Sequence, residues 1–292
     1  MTAPHLHFMG IGGVGMCGLA EVLVGRGLAV SGCDLTESER TRRLAEQGVE
    51  VRLGHDPSHL EGIDALVVSS AVAQGEPELS QARNGGLVVV RRAEMLAELM
   101  RTQRGVAVAG THGKTTTTAL IGHLLTAAEA DPTVIVGGRA HSLGSHGRIG
   151  KGPILVCEAD EYDRSFLELS PAISVITNLE PEHLDCYGNP AALEEAFASF
   201  ANRTSVFGTV VLCADDAGAC ELRTEIRRRV VSYGVSADAD VRMQITGYDP
   251  GGTTFTVTRE ESELGQVHVT LVGAHNALNA LAAITVGLEL GI

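Results

Sequence analysis

The sequence predicts an α/β protein with two domains, each built around a parallel sheet. Two glycine-rich loops support this prediction, one at residues 10–15 and the other at residues 110–115. Each loop follows a short apolar segment and precedes a segment with helical periodicity, an order typical of phosphate-binding folds. Elsewhere, short apolar segments alternate with helical ones, as in a doubly wound sheet. We expect a Rossmann-like domain at 1–102 and a P-loop-type mononucleotide-binding α/β domain at 103–292, the second with a small antiparallel addition.

The first domain begins with a dinucleotide-type fingerprint. Gly10-Ile11-Gly12-Gly13-Val14-Gly15 fits the pattern G-x-G-x-x-G, and Asp34 follows 19 residues after Gly15, the spacing expected for a contact with ribose. The pattern indicates a bound diphosphate but leaves open whether it belongs to NAD, FAD or a UDP-sugar. Strands are expected at 6–9, 28–33, 49–53, 65–70 and 87–90, and helices at 16–23, 76–84 and 92–100.

The second domain is expected to begin at the polar linker 101–105. Strands are predicted at 106–109, 154–157, 173–177, 210–212 and 230–233, and helices at 119–125, 189–202 and 277–289. Alternating apolar and polar residues between 241 and 271, interrupted by Gly251-Gly252, predict an antiparallel hairpin. Gly273-Ala274-His275-Asn276 is expected to cap the last helix.

The segment Gly110-Thr111-His112-Gly113-Lys114-Thr115-Thr116 predicts a phosphate-binding loop. Its glycines allow backbone N–H groups to approach phosphate oxygens, Lys114 can reach the outer phosphates, and the Thr115 hydroxyl can ligate Mg²⁺. The strict P-loop pattern has glycine where this chain has Val108. The prediction therefore depends on the position of the loop between a strand and a helix. His112 has two interpretations, a contact with phosphate or a residue that only shapes the turn.

Two further strand ends carry candidate catalytic residues. Glu158 is the first of four acidic residues after a predicted strand, so it is the best placed of them to hold Mg²⁺. The other three, Asp160, Glu161 and Asp163, are expected to be solvated or to cap turns. His183 follows the next strand end and can complete a metal site or contact a transferring phosphoryl group. A lone histidine is more often structural, so its role depends on this position.

Asparagine and aspartate side chains mark two helix starts. The simpler interpretation of Asn276 is an N-cap, whereas the amide of Asn279, one turn later, can pair with N6 and N7 of adenine. Asp215-Asp216 is expected to form a turn and a helix cap.

The composition excludes several classes of function. The net charge of −14 argues against binding to nucleic acid or to anionic membranes. The sequence has no apolar run long enough to span a membrane and no signal-peptide pattern at its N-terminus, so we expect a cytoplasmic protein. The six cysteines show no C-x-x-C or zinc spacing and are expected to be reduced.

These segments, in this order, resemble the Mur ligase family, whose members use ATP to form amide bonds in peptidoglycan synthesis. The resemblance covers essentially the whole chain and is carried by residues 7–16, 110–116, 158–161, 177–185 and 275–283. In this family the first domain binds the UDP portion of the substrate and the second binds ATP with Mg²⁺. The expected fold agrees with the one predicted from the two loops.

The resemblance also implies which residues form each site. Those expected to hold the UDP-linked substrate are Gly12, Gly13, Val14, Gly15, Met16, Asp34, His55 and the turn Ser69-Ser70-Ala71. Those expected to hold ATP are Gly110, Thr111, His112, Gly113, Lys114, Thr115, Thr116, Asn276 and Asn279. The expected catalytic residues are Lys114, Glu158 and His183, and the expected metal ligands are Thr115, Glu158 and His183.

Within the family, residues 12–15 and 183–185 favour the branch that joins L-alanine to the carboxylate of UDP-N-acetylmuramate. Residues 161–163 also resemble a branch that acts on a murein tripeptide. Several relatives carry a carbamoylated lysine that would fall near residues 197–200, where this chain has no lysine. The family's third domain, which binds the amino acid, has no counterpart in the sequence. We therefore expect this chain to bind its substrates without joining them.

Two other functions stay open at this stage. A ligase like folylpolyglutamate synthetase would use the same chemistry on another carboxylate, but that enzyme lacks the N-terminal glycine fingerprint. An NAD-dependent oxidoreductase or a nucleotide sensor would fit residues 10–15, but neither requires Gly113-Lys114-Thr115. Binding of NADH would distinguish these from a ligase.

Overall fold

The computed structural model describes residues 3–140 and 145–292, which form two compact units. The first unit consists of the described residues up to Leu99 together with those between Ile135 and Gly150. The second consists of Met100–Val134 and Lys151–Ile292. This division differs from the predicted one in the segment 135–150, for which the sequence pattern predicted no strand. The prediction of an α/β fold built on parallel sheets is confirmed.

The first unit contains a five-stranded sheet in which every pairing is parallel. Its strands are β1 (His5–Met9), β2 (Ala29–Asp34), β3 (Glu50–Leu53), β4 (Ala65–Val68) and β5 (Val88–Arg91). Its helices are α1 (Val14–Gly25), α2 (Glu39–Glu46), α3 (Pro77–Asn84) and α4 (Arg92–Met100). The strand order is β3-β2-β1-β4-β5, so the chain adds β2 and β3 on one side of β1 and β4 and β5 on the other. The topological switch point therefore lies between β1 and β4. Ligands of open α/β sheets bind at the carboxyl ends of the strands beside such a switch point.

The second unit contains eight complete strands of a ten-stranded sheet, whose other two strands fall largely in the segment 135–150. The strands of this sheet are β6 (Arg104–Ala109), β7 (Thr133–Ala140), β8 (Ser145–Arg148), β9 (Ile154–Glu158), β10 (Ile173–Ile176), β11 (Thr209–Cys213), β12 (Arg229–Gly234), β13 (Val241–Asp249), β14 (Gly252–Arg259) and β15 (Ser262–Val269). Their order is β15-β14-β13-β12-β11-β10-β6-β9-β7-β8. Its helices are α5 (Lys114–Ala127), α6 (Leu184–Tyr187), α7 (Pro190–Asn202), α8 (Ala217–Leu222) and α9 (Ala274–Glu289). Strand β6 lies between β9 and β10 and is parallel to both, so the predicted phosphate loop follows a central strand that is buried except at its first residue, Arg104.

The structure corrects the sequence prediction at several elements. The antiparallel addition is three strands, β13 to β15, and not a single hairpin. Helix α9 begins at Ala274 with Gly273 as its N-cap, so Asn276 lies inside the helix and does not cap it. The pattern also missed β7, β8 and α2. Helix α2 is highly charged and buries only Thr41 and Leu44, which leaves too short an apolar stripe to recognise.

Local capping explains where two helices of the second unit begin. The Asn189 side chain accepts a hydrogen bond from the amide of Ala192, and Pro190 occupies the first turn of α7. The Asp216 side chain caps α8 in the same way and also accepts from the amide of Leu179. The predicted turn and cap at Asp215-Asp216 are therefore confirmed. Asp216 additionally joins α8 to the chain that leaves β10.

The end of α9 is held to the sheet by one buried carboxylate, that of Glu289. It accepts hydrogen bonds from Arg229 and, at 3.0 Å, from the Thr209 hydroxyl, and it lies 3.1 Å from a guanidinium nitrogen of Arg259. Burial raises the pKa of Glu289, but the hydrogen bond from Arg229, followed by those from Thr209 and Arg259, outweighs burial and holds the pKa below its usual value. Ionised Glu289 therefore stabilises the folded state at neutral pH, and that contribution is lost as the pH falls through the folded-state pKa.

We predict that Glu289→Gln lowers the free energy of unfolding at neutral pH by about 1–3 kcal/mol, because the amide cannot replace a charge-assisted acceptor. The difference from the parent should shrink below about pH 4, where the parent carboxylate also becomes protonated. Urea unfolding at the two pH values measures both effects. Glu195→Gln, at an exposed position on α7, serves as the control. Equal stability of the parent and Glu289→Gln at neutral pH would contradict the anchoring role.

Candidate functional site

The loop between β6 and α5 has the backbone geometry of an anion-binding site. Gly110 leaves β6 with a φ of +137°, and Gly113 has a φ of +83° and forms the N-cap of α5. The Gly113 N-cap makes no side-chain hydrogen bond to the helix amides. The first-turn N–H groups of a helix have no partner within the helix, and the helix dipole makes that end partly positive. Residues Lys114 to Thr116 form this first turn, so the loop has the donor groups that phosphate binding requires, and the binding itself stays a prediction.

The chain that follows β10 holds this loop in place. The Thr177 hydroxyl donates to the carbonyl of His112 at 2.7 Å, and the Asn178 amide group donates to the same carbonyl at 3.0 Å. The side-chain oxygen of Asn178 accepts from the His112 amide at 2.7 Å. The amide of Glu180 donates to the Thr111 hydroxyl at 2.9 Å. The sequence motif contained these residues, but their function as supports of the loop was not predicted.

Both loop glycines lie against other parts of the second unit. A methyl group on Gly110 would lie 2.0 Å from the Thr177 hydroxyl, and one on Gly113 would lie 2.7 Å from the Asn279 side-chain oxygen. The structure therefore brings Asn279 to the loop itself. Asn276 donates to the carbonyl of Val272 at 2.9 Å, which is a local contact at the start of α9. His112 points an exposed imidazole toward Glu180 and Glu182, at 3.7 and 3.8 Å.

Lys114 forms a buried ion pair with Glu161. Its ammonium group lies 2.8 Å from the Glu161 carboxylate and also donates to the carbonyl of Gly110 at 2.6 Å. The Glu161 side chain is only 3% exposed. The expectation that Glu161 is solvated or capping is therefore wrong. Its burial depends on contacts distant in sequence, such as the Tyr187 hydroxyl that donates to the Glu161 carbonyl at 2.6 Å.

His183 joins the same group of residues. Its Nε2 atom lies 3.8 Å from Glu161, and its ring packs edge-on against Tyr162 with ring centroids 5.1 Å apart. His183 also has a φ of +55°, a backbone conformation that non-glycine residues rarely adopt and that concentrates at functional sites. Burial raises the pKa of Glu161, although Lys114 opposes the shift. Lys114 is therefore the main group that favours the ionised carboxylate.

The other two predicted metal ligands lie at neighbouring strand and helix ends. Glu158 is the last residue of β9 and pairs in register with Val108, two residues before the loop. Thr115 lies in the first turn of α5 and is partly buried. Parallel strands present their carboxyl ends at one edge of the sheet, so Glu158 and the loop lie at the same edge. The joint binding of one ion by Thr115, Glu158 and His183 stays a prediction.

The glycine loop of the first unit also leads into the N-terminus of a helix. Gly13 is the N-cap of α1 without a side-chain hydrogen bond, and Val14, Gly15 and Met16 form the first turn. The Gly12 amide donates to the Asp34 carboxylate at 2.9 Å, and Thr36 donates to the other oxygen at 3.1 Å. Asp34 thus braces the loop in this structure, a contact that the ribose prediction did not anticipate.

Two more residues lie beside this loop: Arg92, which was not predicted from the sequence, and Ser69, which belongs to the predicted turn 69–71. A methyl group on Gly15 would lie 2.9 Å from a guanidinium nitrogen of Arg92, the first residue of α4. A methyl group on Gly10 would lie 3.1 Å from the Cβ atom of Ser69, which follows β4. Strands β1 and β4 are parallel neighbours with Met9 opposite Val68, so the residues that follow them, Gly10 and Ser69, lie side by side. For Arg92, the signal available in the sequence was an arginine at the first position of a predicted helix that closely follows a predicted strand.

The remaining predicted residues lie around these elements. Ser70 and Ala71 are exposed in the turn after β4, and the Ala71 amide donates to the Ser69 hydroxyl at 3.3 Å. His55 is buried, with Nδ1 3.6 Å from the Glu76 carboxylate. Among the described residues, neither ring nitrogen of His55 makes a hydrogen bond. The structure thus associates His55 with Glu76, and its contact with the UDP-linked substrate stays a prediction.

Comparison with known families matches both units. The sequence model described as Mur ligase family, catalytic domain, matches residues 5–104, and that of the Mur ligase middle domain matches residues 108–287. No helix among residues 3–140 and 145–292 has both the length and the apolar character needed to cross a bilayer.

Several proteins are similar along nearly the whole chain. The UDP-N-acetylmuramate–L-alanine ligase of Anaeromyxobacter dehalogenans strain 2CP-C is 47% identical over 98% of this chain, and that of Sorangium cellulosum is 49% identical over 99%. The chain spans 63% and 61% of the length of these two relatives.

Solved structures agree with this similarity. UDP-N-acetylmuramate:L-alanyl-γ-D-glutamyl-meso-diaminopimelate ligase from Neisseria meningitides matches with a TM-score of 0.90 and 27% identity, covering 100% of this chain and 95% of the other. The UDP-N-acetylmuramate–alanine ligase of Thermotoga maritima matches with a TM-score of 0.85 and 30% identity, covering 99% and 65%.

The packing of Thr177 against Gly110 generates a test. We predict that Gly110→Ala lowers the free energy of unfolding by about 2–4 kcal/mol, because the new methyl group displaces Thr177 and the backbone conformation is strained. It should also abolish measurable ATP binding. Gly265 in β15 has nearly the same φ, +141°, with open space around it. Gly265→Ala should therefore lower the free energy of unfolding only by the backbone strain, about 1–2 kcal/mol, and should keep ATP binding. Equal behaviour of the two variants would refute the role of the Thr177 contact.

Proposed function

Because the chain belongs to the Mur ligase family, we propose that it serves the ATP-dependent joining of L-alanine to the carboxylate of UDP-N-acetylmuramate. The observation that carries this proposal is the similarity to L-alanine ligases along nearly the whole chain. In this proposal the first unit binds the UDP-linked substrate and the second unit binds ATP. The product belongs to peptidoglycan synthesis.

The reaction has two steps. An oxygen of the substrate carboxylate attacks the γ-phosphorus of ATP, the bond to the bridging oxygen breaks, and an acyl phosphate and ADP form. The amine of L-alanine then attacks the acyl carbon, loses a proton, and expels inorganic phosphate. Such steps need accurate positioning and neutralisation of charge more than covalent protein chemistry. The arrangement around Lys114 is suited to these two tasks.

The second unit supplies the groups that would hold the triphosphate. In this proposal the loop amides from Gly110 to Thr116 surround the phosphates, and Lys114 exchanges its contact with Glu161 for the outer phosphate oxygens. Asn279 lies against Gly113, so a nucleotide in the loop would lie near its side chain. Its contact with adenine stays a prediction. His183, whose Nε2 atom lies 3.8 Å from the Glu161 carboxylate, would contact the reacting phosphoryl group.

The donor atoms of this site fit a magnesium ion. Mg²⁺ prefers oxygen ligands, and the site offers the Thr115 hydroxyl and the carboxylates of Glu158 and Glu161. The second oxygen of Glu161 is buried and makes no hydrogen bond within the described residues, as expected where a cation completes its contacts. Thr115, Glu158 and His183 would hold the metal, which would neutralise charge on the transferring phosphoryl group. Imidazole is a weaker ligand for Mg²⁺ than oxygen, so we expect His183 to contribute least to metal binding.

The high TM-score to the Neisseria enzyme favours a second candidate function. That enzyme is named for a tripeptide that it joins to the same UDP-linked carboxylate. The first unit would then bind the same substrate, and only the attacking amine would differ. A full-length protein supplied with L-alanine or with the tripeptide would separate the two candidates by the release of phosphate.

Calorimetry on the 292-residue chain tests the proposal directly. UDP-N-acetylmuramate and Mg²⁺-ATP should each bind at one site, because the two anion-binding loops belong to separate units. NADH and folate should not bind. Binding of NADH without binding of UDP-N-acetylmuramate would favour an oxidoreductase or a nucleotide sensor instead.

The ion pair of Lys114 generates a sharper prediction. Lys114→Ala should weaken Mg²⁺-ATP binding by at least about 10-fold, because a charged hydrogen bond to phosphate is worth about 1.5–3 kcal/mol. The same change leaves the buried Glu161 carboxylate unpaired, which should lower stability by about 3–5 kcal/mol. Lys151→Ala is the matched control, since Lys151 is exposed and is the only other lysine of the chain.

A double variant separates binding from stability. Glu161→Gln removes the orphaned charge, so Lys114→Ala combined with Glu161→Gln should regain most of the lost stability and still bind Mg²⁺-ATP weakly. Recovery of ATP affinity along with stability would show that Lys114 acts only as a structural partner of Glu161.

The position of Arg92 beside the first glycine loop generates a third prediction. The pyrophosphate of a UDP-linked substrate carries negative charge, and a guanidinium group binds phosphate oxygens in a fixed fork. Arg92→Ala should therefore weaken UDP-N-acetylmuramate binding by about 10- to 100-fold and leave Mg²⁺-ATP binding unchanged. Arg83→Ala, at an exposed position on α3, is the control. Unchanged affinity for the UDP-linked substrate would exclude Arg92 from the site.

A further inference from the structure

The first unit contains a buried group of four metal-binding side chains outside the sites described above. They are His7 on β1, Cys33 on β2, His59 in the 3-10 helix Pro57–Leu60, and Glu78 at the start of α3. One potential ligand atom from each residue lies within 4.8 Å of all the others. All four residues are buried, and Glu78 is fully buried. A set of two imidazoles, a thiol and a carboxylate at this spacing calls for a chemical explanation.

The separations between the ligand atoms match a small tetrahedral site. Nε2 of His7 lies 3.1 Å from Oε1 of Glu78, and Nδ1 of His59 lies 3.3 Å from Oε2. Sγ of Cys33 lies 3.5 Å from Oε2. Ligands about 2.0–2.3 Å from a tetrahedral zinc ion are separated from one another by about 3.3–3.7 Å. Only small movements would therefore place all four atoms around one ion.

Two buried nitrogen atoms in this group lack hydrogen bonds. Nε2 of His7 and Nδ1 of His59 are buried and have no hydrogen-bond partner among the described residues. Each lies close to an oxygen of Glu78, at 3.1 and 3.3 Å, without forming a hydrogen bond with it. Buried polar atoms are normally satisfied, and each exception requires a reason. A ligand that both nitrogens contact is such a reason.

Ser31 provides the outer support that a metal-binding histidine usually has. Nδ1 of His7 lies 2.8 Å from the Ser31 hydroxyl oxygen, which in turn lies 3.0 Å from Nε2 of His5. If Nδ1 of His7 donates to Ser31, and Ser31 donates to His5, then Nε2 of His7 keeps its lone pair. Hydrogen bonding of the distal nitrogen in this way fixes the tautomer and orientation of a ligating histidine. The His5–Ser31–His7 chain therefore prepares Nε2 of His7 for a metal.

We propose that His7, Cys33, His59 and Glu78 form a four-ligand binding site for one Zn²⁺ ion inside the first unit. The donor set of nitrogen, sulfur and a single carboxylate selects zinc over magnesium, which requires oxygen ligands. Four protein ligands leave no open position for water, so the ion is structural. It joins β1, β2, the Pro57–Leu60 helix and α3, which are four separate elements of the first unit.

Without zinc, the same four side chains remain in contact with one another. Burial raises the pKa of the Cys33 thiol well above its usual value, and the charge of Glu78 adds to the shift. Cys33 then stays protonated and donates to Glu78. Zinc binding would displace this proton, because thiolate is the form that ligates the metal. Zinc thus converts a set of imperfect contacts around one carboxylate into four direct bonds.

Cobalt substitution tests the site on the complete 292-residue chain. After treatment with a chelator, the protein should bind one Co²⁺ per chain. The spectrum should show intense d–d bands of tetrahedral Co²⁺ and a sulfur-to-cobalt charge-transfer band. Zn²⁺ should abolish both signals by displacement, and Mg²⁺ should have no effect. Zn²⁺ should also raise the unfolding temperature of the chelator-treated protein. A folded protein that binds no Co²⁺ would overturn the proposal and leave a metal-free ion pair.

Three variants identify the ligands. Cys33→Ser keeps a hydroxyl that can donate to Glu78, so it should fold; it should lose the charge-transfer band and at least about 100-fold in Zn²⁺ affinity. Ser31→Ala should keep the band and lose about 10- to 100-fold in affinity. Cys17→Ser, another buried cysteine of the first unit, is the matched control and should keep both. A band that survives Cys33→Ser and disappears in a Cys186→Ser variant would assign the cobalt to an exposed thiol and refute the site.

Discussion

The hydrogen bonds between the phosphate loop and the chain after β10 are the constraint on which the second unit's site depends. Strands β6 and β10 run in register, with Ala109 opposite Ile176, so the next residues, Gly110 and Thr177, must lie side by side. A glycine loop alone has many conformations, and holding it for a ligand costs conformational entropy. Thr177 and Asn178 remove that freedom before the ligand arrives. The glycine at position 110 is therefore required by its neighbour as much as by phosphate.

The Lys114–Glu161 pair adds an electrostatic constraint to this rigid frame. An unpaired charge at this depth would be costly, so each of these residues needs the other while no nucleotide is bound. A bound triphosphate offers Lys114 a stronger partner, and Glu161 must then be compensated by something else. An oxygen-seeking cation beside Glu161 would meet that need. In the proposed function, nucleotide and magnesium thus replace one ion pair by two new sets of contacts, which favours their binding together.

The sequence predicted those parts of the fold that local patterns determine. Strand, glycine loop and helix follow one another within about 20 residues at both sites, and capping residues such as Asn189 and Asp216 act within one turn. Features made by distant contacts were missed. Glu161 appeared to be one exposed acid among four, because only the fold brings Lys114 and Tyr187 to it. Arg92 was missed for the same reason, since the strand order decides which strand ends are neighbours.

The ionisable groups of the two units differ in the kind of donor atom that surrounds them. In the second unit the carboxylates near the loop offer oxygen atoms, and two histidines, His112 and His183, lie beside carboxylates there. In the first unit a carboxylate is buried among two imidazoles and a thiol, with none of the oxygen-rich surroundings that magnesium requires. A cell supplies magnesium in excess, so a site that must not bind it has to exclude it by ligand type. The nitrogen and sulfur ligands around Glu78 provide that exclusion, and a structural ion in the first unit would not compete with the nucleotide's metal in the second.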